Sequence, residues 1–534
     1  MGDRRPTGGR FAAALAAVLC VLAVAAPTAA AERRDAFVTS FDGTRIWTHF
    51  FPGAAASAQD PQPTILVGPG WSMSGETDVE GGGGAAQLFG LSPLKPLHDA
   101  GYNILTWDPR GFGSSGGTVQ IDDPRYEGRD AQALIDHVAT QPESLLDSRR
   151  DPRLGMSGGS YGGGIQLVTA AIDRRVDAIV PVISWHSLVS SLFKSGRVKT
   201  GWGLVLAGAG IQGAMLPGVG DPLNNDGHQD PHFYSTITEG LATGGVSDEN
   251  REWFASKGPA NMVRRIKAPT LLVQGTVDTL FTLQEAIDNF EAMRGNRRKV
   301  KRRRGGRVVK RRKPVPLKMI WFCGGHGLCR TDAGPEEYVG DRTLAWFDRH
   351  LRGRKRVRTG PRFAWVDEDG TWRDSSEFPL RRVGALRGSR SGTWPLLPGA
   401  AGTGAVIFAT PAPDAFKVPI SGPQRESDVV GTPRLRLAYS GTGAPARTHV
   451  YAQIVDPRRN LVVGNVPTPV PLRLDGERRT LRLPLEPIAS RAPAGGGYEL
   501  QITSSTTVYD VQRSAGLIDF EDVRIELPIA KPVG

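Results

Sequence analysis

Six residues constrain this chain more than any others: Gly158-Gly159-Ser160-Tyr161-Gly162-Gly163. A short apolar run ending near Met156 precedes them. Ile165, Val168 and Ile172 follow at i, i+3 and i+7, the period of a helix face. A serine at the tip of a tight strand-to-helix turn is how an α/β-hydrolase sheet presents a nucleophile. Glycines flank it because the turn leaves no room for side chains. The N-terminus of the helix behind Ser160 also favours the negative charge that develops during acyl transfer. In a chain with 67 glycines the spacing G-x-S-x-G arises by chance, so its weight rests on the strand before it, the helix after it and the residues downstream.

The chain has 534 residues, too many for one core, so two or three domains are expected. Phe37 to Phe41 and Arg45 to His49 flank Asp42-Gly43, a hairpin signal. Short apolar strands are then expected at Thr64 to Val67, Asn103 to Trp107, Ala178 to Ile183, Thr270 to Gln274 and Leu317 to Phe322. Amphipathic helices carry Ala131, Leu134, Ile135 and Val138, and later Leu344, Phe347 and Leu351. An opening hairpin followed by alternating strands and helices predicts an α/β-hydrolase fold over residues 32–359, a mostly parallel sheet with helices on both faces. Between about 184 and 262 the alternation lapses, which reads as a helical cap inserted over the mouth of the sheet. From about 360 to 534 the apolar period becomes two, as in Leu435, Leu437 and Tyr439, or Val523, Ile525 and Leu527. That pattern predicts a C-terminal antiparallel β-sandwich or jelly roll.

Residues 1–31 read as a secretory signal. Arg4, Arg5 and Arg10 precede an apolar stretch from Phe11 to Ala26 that is too short to span a membrane, and Ala29-Ala30-Ala31 forms a small-residue cleavage site. A secreted or envelope-associated protein is therefore expected, with no transmembrane segment after cleavage. Cys20 leaves with the signal; Cys323 and Cys329 remain and bracket His326. In an exported chain that pair is expected to form a disulfide, stabilising the loop by about 2 kcal/mol on chain-entropy reasoning. Three visible ligands and glycines suited to a turn argue against a metal site there.

A serine hydroxyl is a weak nucleophile near neutral pH and needs a base, and the base needs an orienting carboxylate. The α/β-hydrolase order is serine, acid, histidine, each just past a strand. Asp278 follows the strand at Thr270 to Gln274, and His326 follows the strand at Leu317 to Phe322 between glycines. The expected triad is Ser160, His326 and Asp278. Asp278 has a rival role as N-cap of the helix containing Leu283 and Ile287. Asp332 is a rival acid that follows the histidine, and His186 a rival base that enters the cap directly. The oxyanion hole should use the backbone N–H of Tyr161 and that of Trp71, in the loop after Thr64 to Val67. Gly111 to Gly116 fits G-x-G-x-x-G, but the stretch from Thr118 to Arg125 reads as loop with Pro124 in it, and a dinucleotide site needs that motif to open a helix. No cofactor is expected.

Residues 294–313 are dominated by Lys and Arg and account for most of the formal +12 charge. They read as a solvated insertion between a helix and a strand, or as an anchor for anionic cell-envelope polymers or lipid head groups. No aromatic interleaving points to nucleic acid.

Taken together, the hairpin with Asp42-Gly43, the run Asp108-Pro109-Arg110-Gly111-Phe112-Gly113-Ser114-Ser115, the elbow with Tyr161 after Ser160, Gly275 to Asp278 and Gly324 to Gly327 resemble the X-Pro dipeptidyl-peptidase and cocaine-esterase family of α/β hydrolases. The resemblance implies a Ser160, Asp278 and His326 triad, a helical cap and a C-terminal domain like galactose-binding sandwiches. It also implies cleavage of X-Pro peptides, esters or acyl amides through an acyl-enzyme. Where the family's esterases place a tyrosine hydroxyl in the oxyanion hole, this chain has Trp71, whose indole carries no hydroxyl. A non-catalytic protein that binds envelope carbohydrate on a hydrolase scaffold is the alternative expectation.

Overall fold

The computed structural model describes residues 32–80, 94–215, 228–304, 307–399, 402 and 404–533; the expected signal at 1–31 lies outside them. Ten strands form one sheet in the order Arg34–Thr39, Arg45–Phe51, Asn103–Trp107, Thr64–Gly68, Leu154–Gly159, Val176–Val182, Thr270–Gly275, Leu317–Phe322, Phe363–Val366 and Trp372–Ser375. Neighbours are parallel from Asn103–Trp107 through Phe363–Val366. The margins are antiparallel. Thr64–Gly68, Asn103–Trp107 and Thr270–Gly275 are buried along their whole length, as strands covered on both faces must be. Helices Glu127–Val138, Tyr161–Ile172 and Leu283–Met293 supply Leu134, Leu167 and Phe290 to the core on one face. Leu94–Asp99 and Glu337–His350 supply Leu97 and Trp346 to the other.

The stretch between Val182 and Thr270 holds helices Leu188–Leu192, Thr200–Met215, Pro231–Thr243 and Asp248–Ala255. They enclose an aromatic cluster that contains Trp185, Trp202, Phe233 and Phe254, and that also takes in Tyr161 from the elbow and Tyr451 and Tyr509 from the C-terminal domain. The cap is therefore held from below and from the side.

The expected domain boundary near 360 needs correction. Phe363–Val366 pairs parallel with Leu317–Phe322, and Trp372–Ser375 pairs with it in turn, so both strands extend the hydrolase sheet. Phe363 to Val366 are all buried, the uniform burial of a doubly covered strand rather than the alternation of a sandwich strand. The antiparallel domain begins at Arg381. Its organising element is the 23-residue strand Arg434–Asp456. The first half of that strand pairs with Arg479–Pro484 and Ala515–Lys531. The second half pairs with Thr468–Asp475 and Tyr498–Thr503. One strand serving two sets of partners curls the sheet around a core of Leu437, Ile454, Leu500 and Phe520.

The basic segment takes regular backbone structure. Between Leu283–Met293 and Leu317–Phe322, Arg297–Arg304 and Arg307–Pro314 form an antiparallel pair, with Arg311 to Pro314 exposed. Backbone hydrogen bonds close within the pair, although cations stand opposite one another along it. Among the described residues no helix is long and apolar enough to cross a membrane.

Candidate active site

Ser160 lies between the strand Leu154–Gly159 and the helix Tyr161–Ile172. Its backbone is at φ 55°, ψ −115°, a conformation that a residue with a side chain adopts only under constraint. The constraint comes from close backbone packing. A Cβ on Gly158, itself at φ 133°, or on Gly162 would collide with the Gly68 carbonyl oxygen, so only glycine lets the turn lie this near the neighbouring strand end. The Ser160 N–H donates to Val182 O at 2.9 Å. Gln166, one helical turn on, braces the elbow from behind. Its Nε2 donates to Gly158 O and Gly162 O, while its Oε1 accepts from Val180 N–H. No sequence motif singles out this glutamine.

Two loops at the carboxyl ends of neighbouring strands bring the other groups in. His326 Nδ1 lies 2.8 Å from Asp278 Oδ2, and His326 Nε2 lies 2.8 Å from Ser160 Oγ. With Nδ1–H donated to the carboxylate, Nε2 is free to accept the serine proton. All three residues are buried. The second carboxylate oxygen of Asp278 accepts the N–H groups of Leu280 at 2.9 Å and Phe281 at 2.8 Å, which fixes its rotamer. Thr282, not Asp278, occupies the N-cap position of Leu283–Met293, so the rival capping role is not the one it takes. Phe281 and Trp202 stand edge-on to the imidazole at 5.1 Å and 5.8 Å between centroids.

The loop carrying His326 is closed by the disulfide Cys323–Cys329, with Cα atoms 5.4 Å apart. It is also clamped by the C-terminal domain: Leu328 N–H donates to Ile407 O, and Asn465 Nδ2 donates to Leu328 O. The acid loop is gripped from the cap by a residue that sequence reasoning passed over. Lys199 is fully buried and its Nζ donates to Thr279 O at 3.0 Å and Leu280 O at 2.7 Å. Burial pushes its pKa down to about 8, with Glu486 opposing. Trp202 Nε1 adds a bond to Thr279 Oγ1 at 3.1 Å. A lysine ahead of an apolar helix gives no signal until its partners are known.

The rivals fall elsewhere. Asp332 is exposed and accepts from Gly334 N–H nearby. His186 Nδ1 faces Asn289 Oδ1 at 2.9 Å, in the base of the cap. The G-x-G-x-x-G run opens no helix; the next one begins at Glu127. Asp108 in that segment accepts from Gly75 N–H and Ser114 N–H, and Arg110 joins Asp42 to Asp130, so the motif ties loops together.

The Trp71 ring packs edge-on against Phe112 and Tyr161, and its Nε1 donates to Leu206 O in the cap at 2.9 Å. The indole donor is therefore committed. Among the described residues the backbone N–H groups of Trp71 and Tyr161 have no protein acceptor. A cavity opens beside Ser160, lined among the described residues by the apolar and aromatic side chains of Trp71, Trp185, Leu188, Phe233, Phe254 and Phe281 among others. Behind Tyr161 lies a second, acidic region. Tyr161 Oη lies 3.4 Å from Glu127 Oε1, and Asp122 and Asp130 line the same small space. Burial pushes Glu127 up to about 8, with Asp130 adding to the rise, and pushes Asp122 far above the usual carboxylate range.

This arrangement matches known proteins. Residues 42–306 fit the family model for X-Pro dipeptidyl-peptidase (S15 family). Three solved structures share the fold. An aminopeptidase from a marine sediment Thaumarchaeota archaeon is 12% identical with a TM-score of 0.66, covering 94% of this chain and 96% of its own. An α-amino acid ester hydrolase is 13% identical with a TM-score of 0.66, covering 96% and 100%. A CocE/NonD family hydrolase from Staphylococcus aureus is 13% identical with a TM-score of 0.61, covering 93% and 94%. A curated relative, a polyketide transferase of a Penicillium species, is 28% identical over 151 residues; the match spans 28% of this chain and 44% of that protein's length. Residues 42–306 thus carry the X-Pro dipeptidyl-peptidase (S15 family) pattern, on an α/β-hydrolase fold shared with the CocE/NonD family hydrolase and the α-amino acid ester hydrolase.

Proposed function

We propose that this protein is an exported serine hydrolase that cleaves esters or amides of an apolar acyl group through an acyl-enzyme. The observation that carries the reading is the Asp278–His326–Ser160 relay, with both links at 2.8 Å, opening onto an aromatic cavity. His326 Nε2 takes the Ser160 proton as Oγ attacks the substrate carbonyl. The Tyr161 and Trp71 N–H groups receive the oxyanion. His326 then returns the proton to the leaving alcohol or amine, and water repeats the sequence to release the acid. The disulfide and the signal sequence support export, because such bridges persist in oxidising compartments.

The cavity wall favours the acyl reading over X-Pro dipeptide release. Capture of a substrate's free amine calls for a carboxylate, and no carboxylate lines that cavity among the described residues. A fluorophosphonate probe should label the wild-type enzyme and fail to label Ser160→Ala, with turnover of an aromatic acyl ester falling by about 10⁴-fold or more. Undiminished labelling of that variant would refute the assignment. A panel of aromatic acyl esters, acyl amides and X-Pro anilides tests the substrate class, and a preference for X-Pro anilides would overturn it.

A further inference from the structure

The twenty residues from Arg294 to Lys313 carry nine arginines and four lysines and no carboxylate. Most of them form an antiparallel ribbon in continuous register from Arg297 opposite Pro314 to Arg304 opposite Arg307. Eight residues per strand give it a length of roughly 27 Å at the usual rise. Four of its eight cross-strand pairs set cation against cation: Arg298 with Lys313, Lys299 with Arg312, Lys301 with Lys310, and Arg304 with Arg307. Like charges directly opposite destabilise a strand pair, so an anionic partner would stabilise this ribbon.

The root of the ribbon is fixed. Asn296 is buried, its Nδ2 donates to Val263 O at 2.9 Å and Ile266 O at 3.0 Å, and its carbonyl accepts from Val315 N–H. At that root a groove of about 670 Å³ is lined by Arg174, Arg264 and Lys267 from the body and by Arg298, Lys299 and Arg312 from the ribbon. One carboxyl, Asp177, faces it. That group accepts from Leu154 N–H, and burial pushes it up to about 7, which weakens its opposition to an anion.

From the register and the groove we infer that the ribbon and its root bind a linear phosphodiester polymer of the cell envelope. Arginine forks match phosphate oxygens two at a time, and a ribbon longer than any single phosphate suits a repeating chain. A membrane surface fits less well, because the segment contains no Leu, Phe or Trp to enter the lipid interface. Nucleic acid fits less well because no aromatic is present for base stacking, and because the disulfide belongs to an oxidising compartment. The proposal goes beyond the hydrolase reading and stands without it.

Fluorescein-labelled poly(glycerol phosphate), read by anisotropy against the chain lacking residues 1–31, tests it. Binding should weaken by about a hundredfold or more between 50 and 200 mM salt if roughly six phosphates are neutralised. The variant Arg302→Gln/Arg303→Gln/Arg304→Gln/Arg307→Gln should bind at least about tenfold more weakly with a shallower salt slope. The body variant Arg264→Gln/Lys267→Gln should bind more weakly by a smaller factor. Thermal unfolding of each variant verifies the fold independently of any hydrolase activity. Unchanged affinity in the ribbon variant would sink the idea. Equal or tighter binding per phosphate to phosphatidylglycerol vesicles, or to duplex DNA, would overturn it in favour of those partners.

Discussion

Asp278, which reaches Ser160 through His326, and Asp122, which packs against Gly164 of the helix that follows Ser160, are both fully buried, yet their surroundings are opposite. Two backbone N–H groups and an imidazole converge on Asp278. Among the described residues neither oxygen of Asp122 has a hydrogen-bond partner. Its neighbour Glu127 has backbone donors from Gln120 and Asp123, but burial and Asp130 outweigh them. Burial alone drives a carboxyl toward its neutral form; donors aimed at it, and a cationic partner formed during reaction, make it useful as a charge. The same depth in the protein therefore yields a hydrogen-bonded carboxyl–imidazole–hydroxyl row on one side of the helix after Ser160, and acids that burial pushes above their usual range on the other.

The largest effect that tests this contrast is on the relay side. Asp278→Asn keeps the shape but replaces one acceptor oxygen with an NH₂ group, so the amide can hold the imidazole in the wrong tautomer. Turnover of an ester substrate should fall by about 10³- to 10⁴-fold with KM little changed. A loss under tenfold would mean that Asp278 does not orient the base.

Lys199 occupies an intermediate position, a buried cation that serves the relay through the backbone. Lys199→Met removes both donors to the acid loop while preserving length, and kcat should drop by about tenfold through misplacement of Asp278. Lys199→Arg should not restore it, since the larger fork cannot be placed in the same fully buried site. If only thermal stability falls and kcat holds, the lysine is a cap fastening and no positioning residue.

Glu127 turns the contrast into a pH measurement. Its folded pKa of about 8 lies above the ordinary value of 4.5, so between those values the folded state holds a proton that the unfolded state has released. Stability from this group is full below about pH 4.5 and is lost as pH rises toward 8, by at most about 1.4 kcal/mol per pH unit. Glu127→Gln should flatten the fall in Tm between pH 5 and 8. An unchanged profile would show that the acid is not held neutral.

Much of this was legible beforehand, for physical reasons. Doubly covered strands are short apolar runs, and the turn at Ser160 needs glycines that sequence displays, so the sheet and the meeting of Ser160, His326 and Asp278 could be read from spacing. Lys199 and Trp202 could not, because each acts on a backbone carbonyl or hydroxyl far away in the chain, and Gln166 could not, because the elbow carbonyls it reaches are turned toward it only by the fold. Phe363 to Val366 were assigned to the sandwich because a run of four apolar residues does not reveal which sheet it joins. The basic ribbon was missed because its charge masks a strand pattern that carries only three valines. The buried acids behind Tyr161 were missed as well, since Asp122 and Glu127 look like surface residues until burial is known.

The smallest expected effect is the sharpest test of the contrast. Asp122 sits at φ 53°, a left-handed conformation that asparagine tolerates as well as aspartate. If its carboxyl is already neutral, Asp122→Asn swaps one uncharged group for another of the same shape. Stability should then change by no more than about 1 kcal/mol, and turnover by less than about twofold. Because Asp122 adjoins Tyr161 and Gly164, a charge there would be felt at the oxyanion site, and removing it would raise turnover by easing repulsion of the developing anion. A severalfold gain in kcat would therefore show an ionised Asp122 and dissolve the distinction between the two sides. Indifference to the substitution, beside the collapse expected for Asp278→Asn, would establish it.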